Sequence, residues 1–397
     1  MSNFDVPAGY RFAGMASGIK KSGKLDLALI VSDQPAACAG VFTKNQVIAA
    51  PLQLSKPRIA AGRCQAILVN SGNANACTGE AGLQVSRQST ALVAAALQVP
   101  EELVAVASTG VIGVQLPLSP FEKGVPELVA TLADDQAAQV ATAIMTTDAY
   151  SKVASARGQQ QGNEYRILGL AKGAGMIHPN MATMLGFVLT DAAIEPELLD
   201  SSLRRAVERS FNSITVDGDT STNDMVLLLA NGSCGGPAIV AGTSEAEQFY
   251  LALERVLLDL ARMIVRDGEG ATKLVRIQVC GAADEQTART AARAVATSSL
   301  VKTAFFGEDA NWGRIIAAVG YSGIEVDQNR IDISFNQVPV ARNGLSTGPD
   351  LEAEATEILK LDEFCVRIDL HQGDAETSYY TSDLSYDYVK INAAYRS

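Results

Sequence analysis

Ala171-Lys172-Gly173-Ala174-Gly175-Met176-Ile177-His178-Pro179-Asn180-Met181-Ala182-Thr183-Met184-Leu185 lies near the middle of a 397-residue chain. It joins two short apolar runs, Tyr165–Leu170 and Met184–Leu189, through a Gly-rich turn. Runs of this length bounded by turn residues read as strands. The polar stretch Gly158–Glu164 just upstream predicts a hairpin turn. Similar runs recur at Leu25–Val31, Ala66–Val69, Leu103–Ala107, Met225–Leu229, Leu274–Val279 and Phe364–Leu370. Helical patterns lie between them. Pro196 opens one, with Leu199, Leu203 and Ala206 on a face. Ser244 and Glu247 have capping-box spacing before Phe249, Leu253, Val256, Leu257, Leu260 and Ile264. Ser86–Val99 is Ala-rich and stopped by Pro100. Interspersed strands and helices predict an α/β fold in layers, and the length predicts two domains or two layered halves.

The bulk composition excludes several classes of function. The net charge of −12 argues against a nucleic-acid or anionic-membrane partner, because phosphate neutralisation needs clustered Lys and Arg. No apolar run has the length of a spanning helix. The first residues carry neither a basic nor an apolar leader segment, so a cytoplasmic protein is expected. None of the six cysteines has C-x-x-C spacing, so reduced and mostly buried thiols are expected rather than disulfides or a metal site. With two histidines, His178 and His371, acid–base chemistry has to come mainly from other groups.

Thr183 follows the small residue Ala182, whose carbonyl is open to attack by the threonine hydroxyl. Cleavage there would create an N-terminal Thr carrying both a nucleophile and its base, the α-amine. The plain alternative is a half-buried strand threonine. Thr109-Gly110 follows the run Leu103–Ala107, and a Thr-Gly step at a strand end can aim a hydroxyl and an N–H at one oxyanion; an ordinary turn is the alternative. Lys172 is either a solvated cation or the anchor of a substrate carboxylate. Glu269, between Gly268 and Gly270, is either a turn residue or a carboxylate for an ammonium ligand. Asn70–Cys77 and Asp217–Asp224 read as structural turns; the three acids of the second raise a divalent-metal alternative, though its Asp-x-Asp lacks an EF-hand's following Gly and Glu, and threonine hydroxyls near a site are the runner-up. The aromatic end Tyr388–Ser397 lacks a polar tail, and is expected to be tied down.

Jointly, these segments resemble the ornithine acetyltransferase (glutamate N-acetyltransferase) family of arginine biosynthesis. The strings are Ala16–Lys20, Val69–Gly79, Lys172–Leu185, Asn212–Asp219, Gly307–Arg314 and Asn392–Ser397, in order along nearly the whole chain. The resemblance implies a layered α/β/β/α sandwich and self-cleavage between Ala182 and Thr183. The products would be an α chain of residues 1–182 and a β chain of residues 183–397, assembled as an α2β2 heterotetramer. It implies Thr183 as nucleophile and Thr109 with Gly110 as the oxyanion pair. Substrate contacts carry over to Thr146 (or its neighbour Thr147), Lys172, Thr183, Glu269, Asn392 and Ser397; the last is Thr in many relatives.

The implied reaction moves acetyl from N2-acetyl-L-ornithine to L-glutamate through an acetyl-threonine ester, without a cofactor. Some members also use acetyl-CoA, which the sequence leaves open. The nearest different function is a self-cleaving aminopeptidase or amidase of related fold, in which water takes the acyl group. A remoter one is an uncleaved binding protein.

Overall fold

The computed structural model describes residues 4–178 and 184–394. Ala182, Thr183 and Ser397 lie outside the described residues. In chain order the strands and helices are β1 (Tyr10–Met15), β2 (Leu27–Phe42), α1 (Ala50–Ala60), β3 (Arg63–Asn73), α2 (Gly79–Leu97), β4 (Val104–Val111), α3 (Ser119–Ala130), α4 (Ala137–Ala143), β5 (Lys152–Gln160), β6 (Asn163–Lys172), β7 (Leu185–Thr190), α5 (Pro196–Arg209), β8 (Ile214–Thr215), β9 (Met225–Ala230) and α6 (Ser244–Arg266). They continue with β10 (Leu274–Ala282), α7 (Glu285–Thr297), α8 (Ser299–Phe306), α9 (Trp312–Gly320), β11 (Asp332–Phe335), β12 (Val338–Arg342), β13 (Leu345–Ser346), α10 (Pro349–Leu359), β14 (Glu363–Asp369), β15 (Ala375–Ser382) and α11 (Tyr386–Ala394). Two compact units result: residues up to 212 with 219–264, and residues 213–218 with 265–396.

The first unit is built on one sheet of order β4-β3-β2-β9-β7-β6-β5, with β1 paired to β2. Its 16-residue strand β2 is shared by two halves. Residues 27–31 pair with β3 and residues 37–42 pair with β9, with a register shift between Val31 and Ala36. The bulge lets one sheet fold over itself. One set of side chains, including Ile30, Ile67, Val69, Ala105 and Ala107 from one half and Leu168, Leu170, Phe187, Leu189 and Leu227 from the other, forms a shared core. The alternate residues Leu27, Leu29, Leu68, Val104 and Val106 face outward and pack with Val93 of α2 and Phe121, Val125 and Leu128 of α3. On the other outer face, Gly169 of β6 leaves room for Val256 and Leu260 of α6, which a Cβ would approach to 2.7 Å. The expected α/β/β/α layering is thus present within this unit. Strands buried on both faces read as near-continuous apolar runs, which is why the sequence displays them clearly.

The second unit carries a sheet of order β13-β12-β11-β14-β10-β15-β8. Val275, Ile277, Val279, Val366 and Ile368 bury one face of it against Ala288, Ala292 and Val295 of α7 and Ile315 and Val319 of α9. Trp312 donates its indole N–H to Glu352 Oε1 at 3.1 Å.

Several local signals held and others were adjusted: α2 begins at Gly79 rather than Ser86, and β2 runs on past Val31 to Phe42. The predicted hairpin is a two-residue turn joining β5 to β6, with Gln161 at φ 48° and Gly162 at φ 90°. Helix α6 is capped one residue earlier than the Ser244 spacing suggests: Thr243 Oγ1 accepts from the Ala246 N–H at 3.2 Å, while Ser244 donates to Glu245. Helix α2 stops before Pro100, through a left-handed Gln98. All six cysteines are free thiols, but only Cys38, Cys64 and Cys280 are buried; Cys77 is exposed. No helix among the described residues is long and apolar enough to cross a membrane.

The two units do not divide at the expected 182/183 processing step. Strands β6 and β7 flank that step and are antiparallel neighbours, with Lys172 opposite Leu185. Strand β7 is also parallel to β9. A break between β6 and β7 would leave both strands held in their ladders.

Candidate active site

The folded-over sheet explains how residues 63 apart in sequence meet. Thr109 continues the inward series Ala105, Ala107 on β4, and Lys172 continues Leu168, Leu170 on β6. At the end of the two facing halves the Lys172 ammonium donates to Thr109 Oγ1 at 3.3 Å. Both side chains are mostly buried, at 8% and 9% exposure. A lysine ammonium only donates, so Thr109 accepts this bond and its own hydroxyl hydrogen is directed to another acceptor. That is the polarity an oxyanion donor needs.

Gly110 has to be glycine. Its φ is +131°, and a Cβ would sit 2.4 Å from the Gly72 carbonyl carbon and 2.6 Å from the Asn73 nitrogen. Strands β3 and β4 run parallel here, with Ser71 opposite Thr109 and Gly72 opposite Gly110. The turn-forming segment 70–77 therefore buttresses the Thr-Gly step. Asn70 accepts from Ser108 Oγ at 2.6 Å and donates to the Asn73 carbonyl at 2.9 Å. From the other sheet half, Asn223 Nδ2 donates to the carbonyls of Ser108 and Ala74 at 2.8 and 2.6 Å.

Asp148 organises the lysines. Its Oδ1 accepts from Lys152 Nζ and from the Gly173 N–H, both at 2.7 Å, and its Oδ2 accepts from the Thr146 N–H at 2.9 Å. One carboxylate thus fixes the Thr146 loop, the fully buried Lys152 and the residue after Lys172. Burial pushes the Asp148 carboxyl up, but the Lys172 and Lys152 charges and the bond from Lys152 outweigh it and hold it down at about 2. Lys20 adds a third cation nearby. It donates to the carbonyls of Leu25 and Met145 at 2.8 and 2.7 Å, and burial pulls its ammonium down to about 8.

This pairing has a testable consequence for acid stability. A folded-state value near 2 against about 4 in the unfolded chain means that Asp148 stabilises the fold fully above pH 4. That contribution, on the order of 2–3 kcal/mol, is lost as the pH falls through 2. Asp148→Asn leaves the Lys152 charge buried without its counterion, and is expected to lower stability at pH 7 by about 3 kcal/mol. Denaturant titrations from pH 7 to pH 2 should show the gap between the two proteins closing below pH 4. A gap that stays constant with pH contradicts the ion-pair account.

Two other expected contacts lie in the second unit. Glu269 sits in the turn after α6, and its Oε2 accepts from Asn392 Nδ2 of α11 at 3.0 Å. Gly270 permits the approach: with φ +69°, a Cβ would meet the Tyr388 nitrogen at 2.4 Å. Ser385 Oγ donates to the Gly270 carbonyl at 2.6 Å, and the Tyr386 ring stacks edge-on against Phe306. The C-terminal helix is held as far as Asn392 by these contacts, although no residue of α11 is buried, and Tyr395 lies outside the described residues.

The structure thus joins Thr109, Gly110, Lys172 and Thr146 in one unit, and Glu269 with Asn392 in the other. Thr183 and Ser397 lie outside the described residues; the carbonyl of Met184, which follows Thr183, accepts from the Met225 N–H at 3.1 Å. Sequence reading missed Lys20, Asp148, Lys152 and Asn223. The i, i+4 spacing of Asp148 and Lys152 was a weak signal for one pair. The turn-rich segment 217–224 reaches the strand that carries Thr109 through the Asn223 amide, whereas its second reading named threonine hydroxyls.

Comparison with known proteins agrees with this architecture. The ArgJ family model matches residues 11–397. A protein of Syntrophotalea carbinolica named arginine biosynthesis bifunctional protein ArgJ is 61% identical over 391 residues, covering 98% of this chain and 99% of the relative. A protein of the same name from Geobacter sulfurreducens is 54% identical over 389 residues, with coverage of 98% and 99%. A crystal structure of arginine biosynthesis bifunctional protein argJ from Bacillus halodurans superposes with a TM-score of 0.52 at 47% identity. It covers 54% of this chain and 100% of that solved chain.

Proposed function

The chain belongs to the ArgJ family of arginine-biosynthesis enzymes, and on that premise we propose that it moves acetyl from N2-acetyl-L-ornithine to L-glutamate through an ester on Thr183. The observation that carries the reading is the Lys172–Thr109 pair, held at 3.3 Å beside Gly110 at the end of the facing sheet halves. It supplies a polarised hydroxyl and a backbone N–H for an oxyanion, with cations at hand for a substrate carboxylate.

Self-cleavage at Ala182–Thr183 frees the α-amine of Thr183. The Thr183 hydroxyl then attacks the acetyl carbonyl while that amine takes its proton, directly or through a water. The Thr109 hydroxyl and the Gly110 N–H stabilise the oxyanion. Ornithine departs with the proton, and the amine of glutamate attacks the ester in turn. The assignment of α and β chains is supported by the solved relative, whose entire chain corresponds to 54% of this one. Residues 183–397 make up that same share of the sequence. Because β6 and β7 keep their ladder, the chains would stay associated as the halves of an α2β2 particle.

Lys172, with Thr146 linked to the neighbouring Gly173 through Asp148, binds the α-carboxylate common to both substrates. Glu269, oriented by Asn392, binds the side-chain ammonium of ornithine, and Ser397 is a further substrate contact by resemblance. Glu269→Gln is expected to raise KM for acetylornithine about 10-fold while changing glutamate use less than 3-fold, since loss of a charged hydrogen bond costs about 1.5–3 kcal/mol. Equal losses for both substrates would remove the charge assignment.

The transfer itself is tested by incubating purified protein with acetylornithine, with and without glutamate. Transfer predicts N-acetylglutamate and ornithine in equal amounts, and only a single-turnover burst of ornithine without glutamate. Equal turnover in the absence of glutamate identifies a hydrolase instead. The word "bifunctional" in the relatives' names supports acetyl-CoA as a second acetyl donor, which the same assay with acetyl-CoA and glutamate reads.

A further inference from the structure

Asp224 precedes β9 and is 2% exposed. Its backbone is fixed on both sides: its carbonyl accepts from the Thr43 N–H at 3.0 Å, and the next N–H, of Met225, donates to the Met184 carbonyl. Its neighbour Asn223 clamps the strand that carries Thr109. Oδ2 of its carboxyl is buried and has no hydrogen-bond partner among the described residues. A buried polar atom without a partner is costly, and where one persists at a site it calls for a functional reason. Burial pushes this carboxyl well above the usual carboxylate range, against opposing pulls from the Ser221 hydroxyl, the Lys172 charge and the backbone amides of Ser221 and Met184. It therefore keeps its proton over a wider pH range than an exposed aspartate does.

The Met184 amide that reaches this carboxyl belongs to the residue after Thr183. We infer that Asp224 is the acid that protonates the Thr183 nitrogen when the Ala182–Thr183 bond breaks, a role that rests on the self-cleavage proposed above. In that step Thr183 Oγ bonds to the Ala182 carbonyl carbon and the carbon–nitrogen bond breaks. An amide nitrogen cannot leave as an anion, so it takes the carboxyl proton. The carboxylate recovers the proton that the Thr183 hydroxyl loses and ends as it began. Water then hydrolyses the ester, freeing the Ala182 carboxylate and the Thr183 amine.

The test follows fragment formation by denaturing mass spectrometry in freshly made wild type, Asp224→Asn and Ser221→Ala. Asp224→Asn keeps the shape of the side chain and removes the acid. It is expected to slow cleavage at least 100-fold, as loss of a general acid does. Its precursor should also resist hydroxylamine at neutral pH, because no ester has formed. Ser221→Ala, which loses a hydroxyl that steadies the carboxyl, should cleave several-fold more slowly than wild type but reach completion. Cleavage of Asp224→Asn within 3-fold of wild type overturns the inference, as does a precursor that hydroxylamine splits at 182/183. If Asp224→Asn fails to fold by circular dichroism, Ser221→Ala decides: slowed cleavage supports the role, and the wild-type rate removes it. A wild-type chain that stays intact overturns the self-cleavage reading itself, which separates the two failures.

Discussion

Thr183→Ala is expected to leave the polypeptide in one piece of about 41.7 kDa and to abolish acetyl transfer. Two losses coincide in this substitution. Without the hydroxyl there is no nucleophile for the acetyl group, and removal of a hydroxyl nucleophile costs on the order of 10⁶ in kcat. Without cleavage there is no α-amine, so the base is missing as well. The fold should be little changed, because the strands on either side of the step, β6 and β7, are held by their mutual ladder and by β9. The measurement is ornithine release from acetylornithine, alongside thermal unfolding of the same sample. Residual transfer above about 1% of wild type, with an intact fold, contradicts Thr183 as the nucleophile.

Thr109→Val should reduce kcat by about 10²–10³ while KM for acetylornithine changes little, as expected for a donor that acts on the developing oxyanion. The substitution conserves shape. It leaves Lys172 without its bond to Thr109 Oγ1, and Lys172 has further interactions to retain it. The proposed self-cleavage would pass through an oxyanion at the Ala182 carbonyl. If the same hydroxyl serves both reactions, cleavage slows with transfer. A raised KM with unchanged kcat would make Thr109 a binding residue instead. Gly110 offers no comparable probe, since an added Cβ would collide with the backbone of Gly72 and Asn73.

The strands of the folded sheet were legible because they are buried on both faces and appear as uninterrupted apolar runs. The fold-over itself was not. The apolar run Leu25–Val31 marked only part of the strand, and β2 continues through Ser32-Asp33-Gln34-Pro35 to Phe42 with a register shift across that segment. Proline is tolerated there because the ladder is already broken at the bulge. That shift turns one sheet into two layers, and so brings Lys172 of β6 to Thr109 of β4. Thr109, Gly110 and Lys172 were therefore readable as single residues of suggestive type, but not as one constellation.

Asp148 and Asp224 were harder to read. Each lies in a polar stretch with turn-like composition, and each acquires its role from partners that only folding supplies. For Asp148 these are Lys152 and the Gly173 N–H; for Asp224 the role comes from burial beside Met184. Glu269 was recognisable because glycines flank it, and the partner the structure gives it, Asn392, comes from a terminal segment whose aromatic content already suggested an ordered end.

The central claim is that Thr183 becomes an N-terminus and carries the acetyl group. Denaturing mass spectrometry of the protein mixed with acetylornithine, in the absence of glutamate, tests it directly. The account predicts two fragments that meet between Ala182 and Thr183, with the mass of one acetyl group added to the fragment beginning at Thr183 and removed again by glutamate. A single unbroken chain, or a cleaved chain that gains no acetyl group, would contradict it.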